Sequence, residues 1–226
     1  MGLHDGHRSR MKAEFLKGGL DHMPPHRVME LLLFYSIPQG DTNELAHRLV
    51  EHFGSLSGVL DAPYEELMKV KGVGTHTAVL IQLISSLARR YYMEKADLAP
   101  LQDPMHAIGE QMKARYVGRT EERLMLVCLD NKLKILFFDT VKTGAADSVQ
   151  VQFRELAKIT LGCNATNVIL GHNHPNGLAL PSRADRESTK ELFRMFREIG
   201  VSLLDHIVVA GDDYVSMAET GLFSEF

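Results

Sequence analysis

The chain has 226 residues, of which 45% are hydrophobic, and carries a formal net charge of -4 with a sequence pI of about 6.3. This length allows one or two domains with a sizeable core, and the charge argues against tight, nonspecific nucleic-acid binding by the whole molecule. Two cysteines, a polar N-terminus without a signal-peptide core and no apolar run of transmembrane length argue against a disulfide framework, secretion and a membrane span, so we expect a soluble, cytoplasmic, two-domain protein.

The first hundred residues have the apolar spacing of helices. Val28, Leu31, Leu32 and Tyr35 recur at the period of one helix face, and Gly54 ends the helix that follows. Helices are predicted over residues 10–17, 26–35, 42–53 and 64–70, with a short one within FGSLSGVL, residues 53–60, and a long one from about 75 to 92. Helical periodicity fades near residue 95. We therefore predict an all-helical domain over residues 1–98 and a linker at residues 99–103.

The turn between the last two of these helices contains two glycines. Glycines let backbone amides at a helix N-terminus approach a phosphate closely, and LMKVKGVGTHTAVLIQLI resembles the helix-hairpin-helix of DNA-binding proteins. That resemblance implies weak nucleic-acid contacts at Lys71, Gly72, Gly74 and His76. However, the motif's basic residue is replaced by Thr77, and residues 1–98 hold 11 lysines and arginines against 12 acidic residues. We favour the alternative, a hairpin that only packs, through Val70, Val73, Val79, Leu80 and Leu83.

Beyond residue 104 apolar runs of strand length alternate with helical patterns. A helix capped by Asp103 is predicted to end at Gly118, and Asp130–Lys132 has the composition of a hairpin turn. Further helices are predicted over 151–161 and 182–199, and strands over 123–129, 134–141, 165–171, 203–210 and 214–217. The interleaving predicts the fold class α/β (α+β), with a mixed sheet between helical layers in a domain over residues 104–226.

The segment GHNHPNGLALPSRAD has the residue types and spacing of a metal site. His172 and His174 lie two apart, so their side chains leave an extended segment on the same side, and Pro175 then begins a turn. Ser182 is suited to cap a helix whose first turn carries Asp185. Taken singly, the histidines could be surface residues and the serine and aspartate a helix cap. Together they offer two imidazoles, one carboxylate and an open fourth position, the ligand count of a catalytic zinc site.

These residues also resemble a known family. His-x-His, seven residues and Ser-x-x-Asp are similar to the JAMM signature of the JAB/MPN metallopeptidases, and the His-Asn-His-Pro run resembles their RadC branch. The N-terminal half resembles RadC proteins in FLKGGLD, ELLLFY, DTNELAHRLVEHFGSL and VKGVG, so the likeness spans nearly the whole chain. The chain departs from the pattern at Asn176, where serine is expected, and at Phe153, where proline is expected before Arg154–Glu155.

The resemblance implies roles for individual residues. His172, His174 and Asp185 would hold one zinc ion. The family's glutamate falls on Glu122, at the start of the strand that ends in Leu-Asp, where it would act as base and then acid. Ser182 would donate a hydrogen bond to the developing oxyanion. For Asp205–His206 we favour a structural role over orientation of a ligand.

Three functions remain open from the sequence. The leading one is a zinc-dependent, metallopeptidase-like hydrolase of the RadC/JAB type that cleaves an amide or isopeptide bond in a peptide or isopeptide substrate. The second is a DNA-associated binding protein with a structural or silent metal site, linked to DNA repair by the family label only. The third, a deaminase-like hydrolase, is disfavoured because the chain has no Cys-x-x-Cys pair.

Overall fold

The computed structural model describes residues 5–97, 104–143, 149–175 and 177–225. The chain divides into two compact units, Met1–Ala88 and Arg89–Phe226. The linker predicted at 99–103 lies outside the described residues, as do the predicted cap Asp103 and the departure at Asn176, so the domain boundary stays a prediction. Among the described helices, none combines the length and the apolar character that crossing a bilayer requires.

The first unit is helical, as predicted. Its elements are α1 (Asp5–Gly18), α2 (Pro25–Ser36), α3 (Asn43–Phe53), α4 (Leu56–Asp61), α5 (Tyr64–Lys69) and the start of α6 (Thr75–Asp97). Gly54 ends α3 in the left-handed conformation, and the Ser55 hydroxyl then caps α4 by accepting from the Gly58 amide. The core of this unit includes Met29, Leu33, Leu49, Leu67 and Ile81.

The predicted face of α2 packs through Leu31, with Val28 and Leu32 half-buried, but not through Tyr35, whereas α6 buries a different side from the one predicted. Tyr35 is 68% exposed, and Val79 and Leu83 on α6 are 52% and 47% exposed, although all three were expected in the packed face. The buried residues of α6 are instead Thr77, Ala78 and Ile81. Apolar residues occur on more than one side of each helix, so periodicity alone did not select the face that meets the core.

The second unit contains a five-stranded mixed sheet, which confirms the predicted fold class. After α7 (Pro104–Tyr116), its elements are β1 (Arg123–Leu129), β2 (Ile135–Thr143), α8 (Val149–Gly162), β3 (Asn167–Asn173), α9 (Arg183–Glu198), β4 (Ser202–Ala210), β5 (Asp213–Ser216) and a final short 3-10 helix (Leu222–Glu225). The strand order is β2-β1-β3-β4-β5. Only the β3–β4 pairing is parallel.

Helices cover both faces of this sheet. The α7 side is filled by Ile108, Met112 and Tyr116 of the helix against strand residues such as Val127, Ile169 and Ile207. The opposite side, which we call the α9 side, is filled by α8 and α9 against Leu126, Leu170 and Leu203. Because side chains alternate along a strand, His172 points to the α9 side with Leu170.

One irregularity in β4 changes which residues face α9. Val168 of β3 pairs with Leu203, but the next residue, Ile169, pairs with Asp205, so Leu204 is an extra residue in β4. Such a bulge shifts the alternation of side chains by one position. Beyond it, His206 lies opposite Leu170 and therefore joins the α9 side.

Candidate metal centre

The C-terminal end of β3 places the two predicted histidine ligands. His172 is only 4% exposed, whereas His174 lies just past the strand and is partly accessible. The residue before them, Gly171, packs so closely on α7 that a Cβ there would collide with the Met112 sulfur. Its carbonyl also accepts a 2.7 Å hydrogen bond from the Tyr116 hydroxyl. The close packing onto α7 fixes the strand end from which both imidazoles project.

The N-terminal turn of α9 supplies Asp185. The Ser182 hydroxyl accepts from the Asp185 amide at 3.1 Å, and the Asp185 carboxylate accepts from the Ser182 amide at 2.7 Å, which completes a capping box. The same carboxylate faces the histidines, so capping and metal binding are compatible. Burial acts to raise the pKa of Asp185, but a hydrogen bond and the positive charge that His172 supplies when protonated, together with the bonds from Ser182, outweigh it and hold the pKa well below its usual value.

The three predicted ligands converge on one point. The Nε2 atoms of His172 and His174 are 2.9 Å apart, and they lie 3.3 Å and 3.5 Å from the Asp185 Oδ1 and Oδ2 atoms, respectively. Tetrahedral coordination with zinc–ligand bonds near 2.0–2.1 Å separates ligand atoms by about 3.3 Å. Within the part of the chain that the structure describes, this is the one group of three or more His, Cys, Asp or Glu side chains close enough to hold a metal ion.

Each histidine has a partner on its other ring nitrogen. His174 Nδ1 lies 3.0 Å from the Leu178 carbonyl oxygen, which can only accept, so Nδ1 carries the proton and Nε2 the lone pair. His172 Nδ1 lies 2.8 Å from Nε2 of the buried His206. Partners of this kind orient metal-binding histidines.

Asp205 and His206 have different environments. Asp205 accepts hydrogen bonds from the Ser216 hydroxyl and the Ala218 amide, so it holds the C-terminal turns, as the structural interpretation expected. Burial raises its pKa despite those bonds. The ring of His206 contacts a predicted ligand, so the alternative of ligand orientation stays open for it. Burial, followed by repulsion from His172, lowers the pKa of His206 well below its ordinary value.

Glu122 lies just before β1, two residues from Leu124, which pairs with His172. Residues two apart share a face, so the pairing directs Glu122 toward the side on which His172 and His174 lie. The segment is held by Asn173. Its side-chain oxygen accepts from the Arg123 amide at 2.8 Å, and its side-chain nitrogen donates to the Glu121 carbonyl at 3.1 Å. The two residues that flank Glu122 are thus tied to the same strand end as the histidines.

The residues predicted to contact nucleic acid form the turn between α5 and α6. Gly72 has a φ of +100°, which requires glycine, and the Lys71 carbonyl accepts a 2.6 Å hydrogen bond from Arg48. The side chains of Lys71 and His76 are exposed, and Gly74 directly precedes α6. Thr77, at the position of the motif's basic residue, is buried and donates to the Ser36 hydroxyl.

Sequence reasoning did not predict the contacts that three residues make at or beside the site. Thr189 lies 2.6 Å from His206 Nδ1, and its position four residues after Asp185 is a spacing that could have revealed it, because such residues share a helix face. For Asn173, no spacing in the sequence indicates its bonds to Arg123 and Glu121. The contact of His206 depends on the bulge, which the alternation of β4 does not show.

Known proteins resemble the chain along most of its length. Residues 102–222 match the model of the family described as a RadC-like JAB domain. The chain is also similar to UPF0758 protein FN0909 of Fusobacterium nucleatum subsp. nucleatum, with 30% identity over 224 residues. That alignment covers 96% of this chain and 97% of the relative.

Proposed function

Because the chain belongs to the RadC family, whose members share a JAB domain, we propose that it is a zinc-dependent hydrolase that cleaves an amide or isopeptide bond. The observation that carries this proposal is the convergence of His172, His174 and Asp185 at the separation that tetrahedral ligands need. Three protein ligands leave one position open, which is typical of catalytic rather than structural zinc.

The donor set fits zinc by its chemistry. Two imidazole nitrogens and one carboxylate oxygen are ligands that zinc accepts, and both Nδ1 atoms have partners that leave Nε2 directed inward. When bound, zinc would supply a Lewis acid that makes water nucleophilic near neutral pH. The partial exposure of His174 and Asp185 leaves the centre open to a substrate.

The remaining chemistry would come from Glu122 and Ser182. Glu122 would take a proton from the attacking water and return it to the leaving amine, and Asn173 would hold the segment that carries it. Ser182 uses its oxygen to accept from the Asp185 amide, so its hydroxyl proton can still be donated to the developing oxyanion. Glu121 precedes Glu122 and would point to the other side of the extended segment, which makes it a matched control.

The metal is tested first, on protein purified without a histidine tag. We expect one zinc per chain in the wild type, loss of zinc in His174→Ala, and wild-type stoichiometry in His76→Ala, an exposed histidine of the first unit. If His174→Ala retains zinc at the wild-type stoichiometry, the proposed ligand set is wrong.

The reaction is tested with peptide and isopeptide libraries. Glu122→Gln should abolish cleavage but keep zinc, because it removes a base and not a ligand, whereas Glu121→Gln should keep both. Activity that survives in Glu122→Gln would refute the assigned base. A wild-type protein that holds zinc and cleaves neither class would refute the proposed reaction.

A second candidate function, weak DNA contact by the first unit, is supported by the exposed Lys71 and His76 at the Gly72–Gly74 turn. The buried Thr77 and the balance of charges in residues 1–98 weigh against it. Binding to a DNA duplex should be measured as salt is raised, in the wild type and in Lys71→Ala. Affinity that disappears at physiological salt, or that is unchanged in Lys71→Ala, would exclude this contact.

A further inference from the structure

We propose that Thr189 and His206 are positioning residues that fix the tautomer of His172, so that its Nε2 lone pair faces the metal. The inference rests on the proposed zinc site but concerns residues outside the ligand set. It follows from a chain of hydrogen bonds whose direction can be read from one end to the other.

The chain of hydrogen bonds starts at the backbone carbonyl of Asp185. The Thr189 hydroxyl oxygen lies 2.5 Å from the Asp185 carbonyl oxygen, and two oxygens approach this closely only with a proton between them. A carbonyl has no proton to give, so the proton belongs to Thr189. Apart from His206, the Thr189 hydroxyl also lies 3.8 Å from the Met217 sulfur, which is an acceptor as well. The hydroxyl proton of Thr189 is therefore not available to His206.

The direction of the next two bonds then follows. His206 Nδ1 lies 2.6 Å from the Thr189 oxygen and must donate, so the proton of this neutral ring is on Nδ1. His206 Nε2 is then an acceptor, and His172 Nδ1, at 2.8 Å, must donate to it. With its proton on Nδ1, His172 has a lone pair on Nε2, the atom that faces His174 and Asp185.

Burial makes this arrangement hard to replace. Thr189 is fully buried, and His172 and His206 are each 4% exposed, so water has little access to substitute for a missing partner. His174 is different, because its Nδ1 proton goes to the Leu178 carbonyl in an exposed loop. The lone pairs of both imidazoles and the carboxylate consequently point at one another, an arrangement that a cation between them stabilises.

The chain of hydrogen bonds also joins α9 and β3, the two elements that carry the predicted metal ligands. It begins at the backbone of Asp185 on α9, passes through Thr189 and the β4 residue His206, and ends at His172 on β3. A displacement of α9 would therefore disturb the hydrogen bonds that orient the His172 ring. If His206 only filled space, zinc affinity would depend only on the shape of the side chain at this position. If His206 positions His172, zinc affinity depends on the capacity of that side chain to accept a hydrogen bond.

Two pairs of variants separate these roles. Thr189→Val keeps the shape and removes the hydroxyl, whereas Thr189→Ser keeps the hydroxyl. His206→Leu removes the acceptor, whereas His206→Gln can still offer an amide oxygen to His172. Zinc affinity is measured by competition with a chelator. We expect a loss of about 10- to 100-fold for His206→Leu and a smaller loss for Thr189→Val, as for other partners of metal-binding histidines. Both conservative variants should stay within a few-fold of the wild type.

A second measurement does not require zinc. Nitrogen-15 NMR of the imidazoles in the metal-free wild type should show the Nδ1-protonated tautomer for both His172 and His206, and Thr189→Val should disturb it at His206. The Nε2-protonated tautomer at His172 would overturn the inference whether or not zinc binds. Equal zinc affinity in Thr189→Val and Thr189→Ser would overturn it too, even if His206→Leu fails to fold. If the wild type shows the expected tautomers but binds no zinc, the proposed function fails and the hydrogen-bond chain stands.

Discussion

Replacement of Asn173 by alanine should loosen the start of β1 without unfolding the molecule. The Asn173 side chain is buried, and it makes two hydrogen bonds, at 2.8 Å to the Arg123 amide and at 3.1 Å to the Glu121 carbonyl. Each such bond contributes about 1 kcal/mol, and both backbone partners are only partly buried, so water can recover some of the loss. We expect the local opening free energy to fall by about 2 kcal/mol, which corresponds to a roughly 30-fold larger equilibrium constant for opening.

Amide hydrogen exchange measures this opening directly. The exchange of the Arg123 amide should accelerate by about the same factor in Asn173→Ala, because exchange follows the local opening equilibrium. Asn167→Ala is a matched control at the other end of β3, where the side chain donates to the Asp130 carbonyl. It should leave the Arg123 amide unchanged. If the Arg123 amide exchanges equally slowly in Asn173→Ala and in the wild type, Asn173 does not hold the segment that carries Glu122.

Three further predictions concern stability, measured by urea unfolding in the presence of a chelator. Burial keeps the pKa of His206 well below 6.5, so below about pH 6.5 the unfolded chain takes up a proton that the folded chain does not, and the free energy of unfolding should fall as pH drops. His206→Gln should reduce the slope of the unfolding free energy against pH by at most about 1.4 kcal/mol per pH unit. Equal slopes in the variant and the wild type would contradict a neutral His206. Gly171→Ala should cost about 1–3 kcal/mol because its Cβ would meet a buried methionine sulfur, whereas Gly162→Ala, with open space around it, should not incur this steric cost; equal effects would contradict the packing. Ile81→Ala should lower the free energy of unfolding by about 2–5 kcal/mol and Val79→Ser by less than about 0.5 kcal/mol, because Ile81 is buried and Val79 is exposed. A larger loss in Val79→Ser than in Ile81→Ala would mean that α6 buries the face predicted from the sequence.

Much of the second unit could be predicted because its signals are local. The apolar runs, the turn at Asp130 and the Ser182 cap depend on neighbours within a few residues, and the structure has the corresponding strands, hairpin and helix. The group formed by His172, His174 and Asp185 was predictable for the same reason, because one strand end and the next helix start bring the three together.

Other features depend on packing between distant segments. Tyr35 and Val79 fit an apolar period, yet which side of a helix is buried is decided by the other helices of the unit. The bonds of Asn173 reach across to residues about fifty positions earlier in the chain, and those of His206 reach 34 positions back to His172. No period or motif in the sequence reports such contacts.

The extra residue in β4 makes the pairing register of that strand as important as its composition. Asp205 and His206 are neighbours in the chain, yet one secures the C-terminal turns and the other reaches a metal-binding histidine on the opposite side of the sheet. If Leu204 paired with Ile169 and the bulge were absent, Asp205 would lie opposite Leu170, placing a carboxylate beneath His172 and an imidazole where Ser216 and Ala218 need an acceptor. Substitutions that remove the bulge but keep Leu204 should therefore be tolerated far less well than deletion of Leu204, which leaves the pairings of Asp205 and His206 unchanged.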